Sequence, residues 1–510
     1  MKKKFLIGVD LGTSGTKTAL YTFNGSLVAE KSVEVPLYYP KPGIVEQEND
    51  DFYNSSAKTV SACIRESGIE PKAVAGIAFD SQMAGVGSID ENYKPASRFD
   101  SWLDMRCQPY IKWMSDEAGE KITDLTGCSP TCDHGPKMLW WKNEEPQTYS
   151  KISKFIMPAA YVAGQLAGLD PNQAFIDYTY IHFSGFSDAR KGTWSEELCD
   201  QFGLDIEKLP RIVKPWDVIG EVNPQGAKDF GLAPGTIIAA GAGDTAANAL
   251  GAGIVEPGLL FDVAGTASVL AGCTDSYLAD TKNQALLTMR SVIEGLWNPL
   301  AYIGGGGIAL RWVRDNIFHS KIDKLDQHDY SERYDEMTAL AAEVSPGSDG
   351  LFFSPHFGGR ICPSNPNMRG AWLGLSWSHG QPHLIRAMLE SVAFEYGYYL
   401  GIMRDLLPDQ KFFQARAMGG GAKSSVWNQI KADVLNVAYA RLKGNEFGTW
   451  GAAMIAGKAA GVINDLASHA AQCAQISDEV FQPNPKNHIK YQSIVKDYIK
   501  LQDMMNDFYN

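Results

Sequence analysis

The sequence predicts an α/β protein built from two related halves that close on one polyphosphate. Three observations lead there. The segment Ile7-Gly8-Val9-Asp10-Leu11-Gly12-Thr13-Ser14-Gly15-Thr16-Lys17 runs from an apolar stretch through an Asp into a Gly-Thr turn. Leu260-Phe261-Asp262-Val263-Ala264-Gly265-Thr266-Ala267-Ser268 repeats that pattern about half a chain later. A chain of 510 residues is also too long for one hydrophobic core and should divide.

The elements follow in order. Phe5 to Val9 and Thr18 to Phe23 read as strands, Asn24-Gly25 as a turn, and Leu27 to Glu30 as the start of a third strand. This is a meander, not a strand–loop–helix unit. Asp50 to Ser67 has helical apolar spacing, with Asn49 or Asp50 as N-cap. Val74 to Phe79 is a buried strand ending at Asp80-Ser81-Gln82-Met83. Residues 170 to 235 are mixed and punctuated by prolines. Thr236 to Ala240 is a strand delivering Gly241-Ala242-Gly243-Asp244. Gly251-Ala252-Gly253 followed by Pro257-Gly258 marks the seam, so residues 1–253 form the first domain and 254–485 the second, with a C-terminal helix over 486–510. Arg386 to Leu407 is a long amphipathic helix, and Gly419-Gly420-Gly421 leads into a helix from about Ser424 to Asn436.

The bulk numbers exclude several classes. Net charge is −13, which invites neither nucleic acid nor an anionic membrane, and simple solubility accounts for it. The first apolar run stops at Asp10, too short for a secretory core, and no apolar stretch reaches the roughly 18 residues that span a bilayer. Eight cysteines are no disulfide framework, and Cys128 and Cys132 lack a second pair with metal-ligand spacing. The cytoplasm is the expected compartment.

In the first turn, Gly12 and Gly15 bring backbone close to a ligand, while Thr13, Ser14 and Thr16 offer hydroxyls and N–H groups and Lys17 a charge. Asp10, at the strand end, could hold Mg²⁺ directly or through water. Gly265 and Thr266 supply the second turn. Asp244 sits among small residues, where a carboxylate can take a proton from an attacking alcohol or cap the helix that begins near Thr245. Gly420, Gly421 and Ala422 before one helix, and Gly306 within Gly304-Gly305-Gly306-Gly307 before another, suit a base or phosphate or are plain Gly-rich loops. A dinucleotide reading of Gly241-x-Gly243-x-x-Ala246, with Asp262 as ribose acid, fails on its connecting helix, which leaves only Thr245 to Leu250. No Walker A sequence exists; Gly451 to Lys458 is nearest.

Together these motifs resemble the FGGY carbohydrate kinases, from Asp10 through about Ala460. Gly370-Ala371-Trp372-Leu373-Gly374-Leu375, then His383-Leu384 and Ala387-Met388-Leu389-Glu390, is similar to the family's C-terminal signature. Lys137-Met138-Leu139-Trp140 resembles the N-terminal one in part, with His134 and Trp141 departing from it. The resemblance implies two actin/hexokinase-like (ribonuclease H-like) domains, each with a mixed five-stranded sheet, around an ATP/sugar cleft. It implies Asp244 as catalytic base, Asp10 as the Mg²⁺-associated acid, Thr266 at the γ-phosphate, and Gly420, Gly421 and Ala422 at the adenine. Gln82-Met83 is most like the substrate motif of the xylulokinases, in which His and Gly follow; here the His is Ala84. A site that hydrogen-bonds a sugar hydroxyl discriminates by roughly 10⁴, so losing that His leaves the sugar's identity open. Trp102 and Asp104 resemble a segment lining the sugar side, where Trp102 stacks on a sugar face or fills core. The expected partner is a small sugar or polyol, most simply a pentulose, with hexuloses and sugar acids as alternatives, and homodimers are common among relatives. A nucleotide-switched chaperone or filament protein on the same superfold is the competing class. It needs a peptide-binding module or polymer interface, and only a helix follows residue 480.

Overall fold

The computed structural model describes residues 3–265, 267–318, 330–444 and 446–509. The first half opens with the expected meander: β1 (Phe5–Leu11), β2 (Gly15–Thr22) and β3 (Leu27–Glu34) pair antiparallel. Helix α1 (Asn49–Ser67) lies on β2 and β3. Its N-cap is Glu48, without a side-chain bond, rather than Asn49 or Asp50. The next strand, β4 (Val74–Ser81), is parallel to β1, and β5 (Ile237–Ala239) is parallel to β4. Leu6, Ile7, Val9 and Leu11 are all fully buried, which is why β1 reads as a continuous apolar run: helices cover both faces of the sheet. The short helix α2 (Asp244–Gly251) ends the half.

The second half repeats this plan. β6 (Leu259–Ala264), β7 (Ser268–Gly272) and β8 (Trp297–Ile303) form a second antiparallel meander. After α3 (Gly306–Asn316) and α4 (Gln381–Leu406), β9 (Gln414–Met418) pairs parallel to β6. Helix α5 (Ser425–Leu435) leads to β10 (Ala438–Leu442), parallel to β9. Both sheets therefore share the strand order third, second, first, fourth, fifth. The five-stranded expectation describes this kernel; among the described residues each complete sheet has seven strands. The additions are Val218–Glu221 and Ala242–Gly243 in the first sheet, and Leu287–Arg290 and Ile476–Phe481 in the second.

One helix crosses between the halves. α6 (Phe447–Ala459) follows β10 yet packs on α2, β1 and β4. It is buried along its length from Phe447 to Gly457, as befits a helix apolar on every side. Close approach requires a bare backbone: a Cβ on Gly451 would stand 2.0 Å from the Ala247 carbonyl oxygen of α2. The terminal helix α7 (Pro485–Tyr509) packs on α4 and α5. In the first half, a small four-stranded sheet of Glu46–Gln47, Val86–Ile89, Pro95–Asp100 and Lys154–Ile156 carries the loops beside the cleft. Among the described residues no helix is long and apolar enough to cross a membrane.

Candidate active site

Three carboxylates meet at one edge of the first sheet. Asp10 near the end of β1 is the register partner of Asp80 in β4. Ala242, two residues before Asp244, is in turn the register partner of Asp80. Parallel strands end together, so their C-terminal residues converge on one crevice. Asp244 is the first residue of α2, and its carboxylate accepts from the Thr245 N–H at 2.6 Å. Burial, and then the negative charge of Asp10, push its pKa up to about 7, against the pull of the Thr245 bonds. Burial also raises Asp10, partly offset by its contact with Asp80 and by Lys17. Asp80 is fully buried, and neither carboxylate oxygen has a hydrogen-bond donor. Burial, then Asp10 and Asp244, hold it well above the ordinary carboxylate range.

Asp80 is the functional candidate that sequence reasoning missed. The signal was present: an Asp closing an apolar strand, as Asp10 does. A buried carboxylate whose side-chain contact is a second acid, with no cation or amide donor of the protein on it, fits a bound cation. Among the described residues no cluster of three or more His, Cys, Asp or Glu is arranged to hold a metal by itself. A cation here would take Asp10 and Asp80 and complete its shell with water or ligand oxygens.

The first turn splits into ligand-facing and structural residues. The Gly12 N–H donates to the Gly15 carbonyl at 3.0 Å, which closes the hairpin, and Ser14 is exposed at its tip. Thr13 Oγ1 accepts from Trp102 Nε1 at 2.8 Å, so the exposed Trp102 is tied to the turn and does not fill core. Thr16 points away: it is buried, with its hydroxyl bonded to that of Ser55 at 2.7 Å, because alternate residues of β2 face opposite sides. Lys17 Nζ pairs with Glu446 at 2.8 Å, at the start of α6, so its charge is already partly neutralised.

In the second turn Thr266 lies outside the described residues, and the Gly265 carbonyl accepts from the Gly307 N–H at 3.1 Å. A cavity of about 440 Å³ opens beside it, lined by Ala264, Gly265, Gly307, Gly420, Gly421 and residues of the helices behind them, including Arg311, Tyr334 and Trp427. Gly420 has open space before it, whereas a Cβ on Gly421 would meet the Trp427 ring at 2.6 Å. Two expected residues do not face the cavity. Gly306 packs against Ser268, and its neighbour Gly307 faces the cavity. Ala422 is buried behind the loop, its carbonyl bonded to Asn428. Asp262 is buried in an ion pair with Lys431 at 2.6 Å and accepts from the Tyr396 hydroxyl at 2.8 Å. It is no ribose ligand, and the strand carrying it belongs to the other sheet from Gly241. A wider, shallower depression of about 670 Å³ along Ser115–Lys121 holds none of these groups.

On the sugar side, Gln82 is buried and donates to Gln47 Oε1 at 2.7 Å, while its own carbonyl oxygen has no donor. Met83 packs against Gly243, next to Asp244. Ala84 takes a left-handed backbone with φ 61°, and Lys137 Nζ donates to its carbonyl at 2.9 Å and to that of Cys132 at 3.0 Å. Asp104 departs from expectation. It is fully buried, and its oxygens accept from Val45 N–H at 2.7 Å and from Arg106 at 2.7–3.0 Å. Its acceptor capacity is filled by protein donors, so it shapes the wall without reaching a ligand. Arg106 also reaches Glu46 at 2.6 Å.

Residues 5–251 match the description "FGGY family of carbohydrate kinases, N-terminal domain", and residues 262–460 match its C-terminal counterpart. The chain is 30% identical over 435 residues to the gluconokinase of Bacillus subtilis (strain 168), covering 84% of this chain and 82% of that one. It is 26% identical over 493 residues to the xylulose kinase of the same organism, covering 96% and 95%. The crystal structure of a ligand-bound xylulose kinase from Lactobacillus acidophilus superposes with a TM-score of 0.90 at 26% identity, covering 99% of each chain.

Proposed function

The chain belongs to the FGGY family of carbohydrate kinases, and from that premise we propose that it transfers the γ-phosphoryl group of ATP to a primary hydroxyl of a pentulose such as xylulose. It is a phosphotransferase acting on a small sugar. The observation that carries the finer reading is Asp244: a carboxylate at a helix start, raised to about 7, beside Asp10 and Asp80. A base with that value is substantially ionised at neutral pH and still takes a proton from the acceptor hydroxyl as it attacks.

The other groups take roles around it. The backbone N–H groups of Thr13 and Ser14 hold phosphate oxygens from the first half, and the turn that Gly265 opens faces them from the second. The cavity at Gly420 and Gly421 takes the adenosine. Asp10 and Asp80 hold Mg²⁺, which supplies positive charge for the phosphates when bound. Trp102, fixed by Thr13, offers a face to the sugar and couples the sugar wall to the phosphate turn. α6, which follows the second half's β10 and packs on the first half, links the two, and about it they close and exclude water.

The relatives divide between gluconokinase and xylulose kinase, so a sugar acid is the second reading. Electrostatics favour the neutral sugar. Arg106 is spent on Asp104 and Glu46, and buried Lys137 on two backbone carbonyls. A homodimer and a cytoplasmic setting accompany the family reading. An ADP-release assay against pentuloses, hexuloses, pentitols, gluconate and glycerol tests it. Pentulose-dependent turnover is expected; gluconate as the best substrate transfers the assignment to the sugar acid, and sugar-independent hydrolysis overturns it.

A further inference from the structure

Two thiols in the sugar-side wall face each other. Cys107 follows Asp104 and Arg106 and caps the helix Gln108–Thr126. Cys132 stands two residues before the helix His134–Glu144. They are 25 positions apart in sequence, and their sulfurs are 3.4 Å apart. A disulfide bond is about 2.0 Å long, so small side-chain rotations of sulfurs already in contact would close it. Cys107 is fully buried and Cys132 partly exposed, which gives the pair one entrance. The Cys132 sulfur also lies 2.6 Å from the Asp104 carbonyl oxygen, and Lys137 grips the Cys132 carbonyl. Of the eight cysteines, Cys132 alone has its thiol drawn down, to about 7, by the Cys107 contact and, against burial, by Lys137. Burial raises Cys63, Cys128, Cys199, Cys273, Cys362 and Cys473. The phosphoryl transfer uses neither thiol.

We propose that Cys107 and Cys132 are a modification site, joined by a reversible disulfide when the protein meets a hydroperoxide. The Cys132 thiolate attacks one peroxide oxygen; an S–O bond forms, the O–O bond breaks, and water leaves after taking up a proton. Cys107 then attacks the sulfenic sulfur, gives up its proton, and the S–O bond breaks as a second water departs. The dithiol loses two electrons, and hydrogen peroxide is reduced to two waters. The new bond ties the turn carrying Trp102 and Arg106 to the loop that Lys137 holds against the Ala84 carbonyl.

Hydrogen peroxide treatment of the full-length protein, then alkylation and non-reducing peptide mapping, tests this. The expected result is one linked peptide pair containing Cys107 and Cys132, a protein lighter by two hydrogens, and recovery of both thiols with dithiothreitol. Cys132→Ser should leave Cys107 alkylatable after peroxide. Two free thiols at these positions in treated wild type, a link to Cys128 instead, or loss of the Cys107 thiol in Cys132→Ser overturns the proposal. The wild-type mapping decides even if the variant does not fold.

Discussion

The two Gly-Thr turns look alike in sequence and do opposite things with their acid. When the turns are aligned on Gly12-Thr13 and Gly265-Thr266, Asp10 corresponds to Val263, and Asp262 falls one residue earlier. In a strand, one residue reverses the face. Asp10 therefore lies beside Asp80 and near Asp244, where burial and like charge raise all three carboxylates. Asp262 looks into the packed side of its sheet, where Lys431 and Tyr396 satisfy it. The comparison teaches that the halves share a scaffold but not a task. The first half carries the clustered carboxylates, and the second the cavity that the proposed function gives to the nucleotide.

The sharpest test of this division is Asp244→Asn. It should lower turnover by roughly 10²–10⁴-fold, the usual worth of a positioned general base, while ATP affinity, measured by calorimetry, stays near wild type. Near-normal kcat would remove the first half's claim to the chemistry.

Next come opposite stability effects from the same substitution. Asp262→Asn leaves the Lys431 charge buried with its partner gone, and should destabilise by about 3–5 kcal/mol in denaturant unfolding. Asp80→Asn relieves two like-charged neighbours, so the metal-free protein should melt higher. Its Mn²⁺ affinity should fall about tenfold or more, as loss of a cation-site group typically does. Matching signs in the two variants would erase the distinction drawn between the acids.

The pH dependence is a smaller effect. Asp244 acts ionised, so kcat/KM should fall about tenfold per pH unit on the acid side of its value of about 7. Stability of the metal-free protein moves the other way. A carboxylate raised in the fold binds its proton more tightly there than when unfolded, so its contribution is full below about pH 4 and lost as pH rises through about 7. A flat kcat/KM profile from pH 5.5 to 8, taken here as roughly the range where such a base titrates, would contradict the base assignment.

The smallest change is Gly420→Ala. Nothing stands within 4 Å of a Cβ there, so the fold is untouched and a methyl enters the cavity. KM for ATP should rise about fivefold, the equivalent of about 1 kcal/mol, the low end of what an added methyl costs in a filled pocket, with the sugar KM unchanged. A rise in the sugar KM instead would place the sugar in the second half.

The meander, the buried strands before Asp80 and Asp244 and the helix after the glycine loop were legible because their signals are local: apolar runs, turn residues and glycines at element ends. The parallel pairing and the Ser424 cap, which accepts from Trp427 N–H, came from the structure. Asp10, Asp244, Gly420 and Gly421 were legible because small residues surround them at element ends. Asp80 was passed over, since a lone Asp at a strand end says nothing of its neighbours until register sets it beside Asp10. Thr16 and Asp104 misled for the converse reason: their types suit a ligand, and only packing showed Ser55 and Arg106 already bonded to them.

The sequence by itself determined the duplicated plan, the ends of its strands and the chemical types waiting there, because periodicity and turn chemistry act over a few residues. Tertiary structure alone decided which acids share a crevice and that α6 returns to the first sheet. It also decided that Cys107 touches Cys132. Those outcomes depend on strand register and on contacts between residues far apart in the chain, where a shift of one position separates a carboxylate beside other acids from one in a buried ion pair.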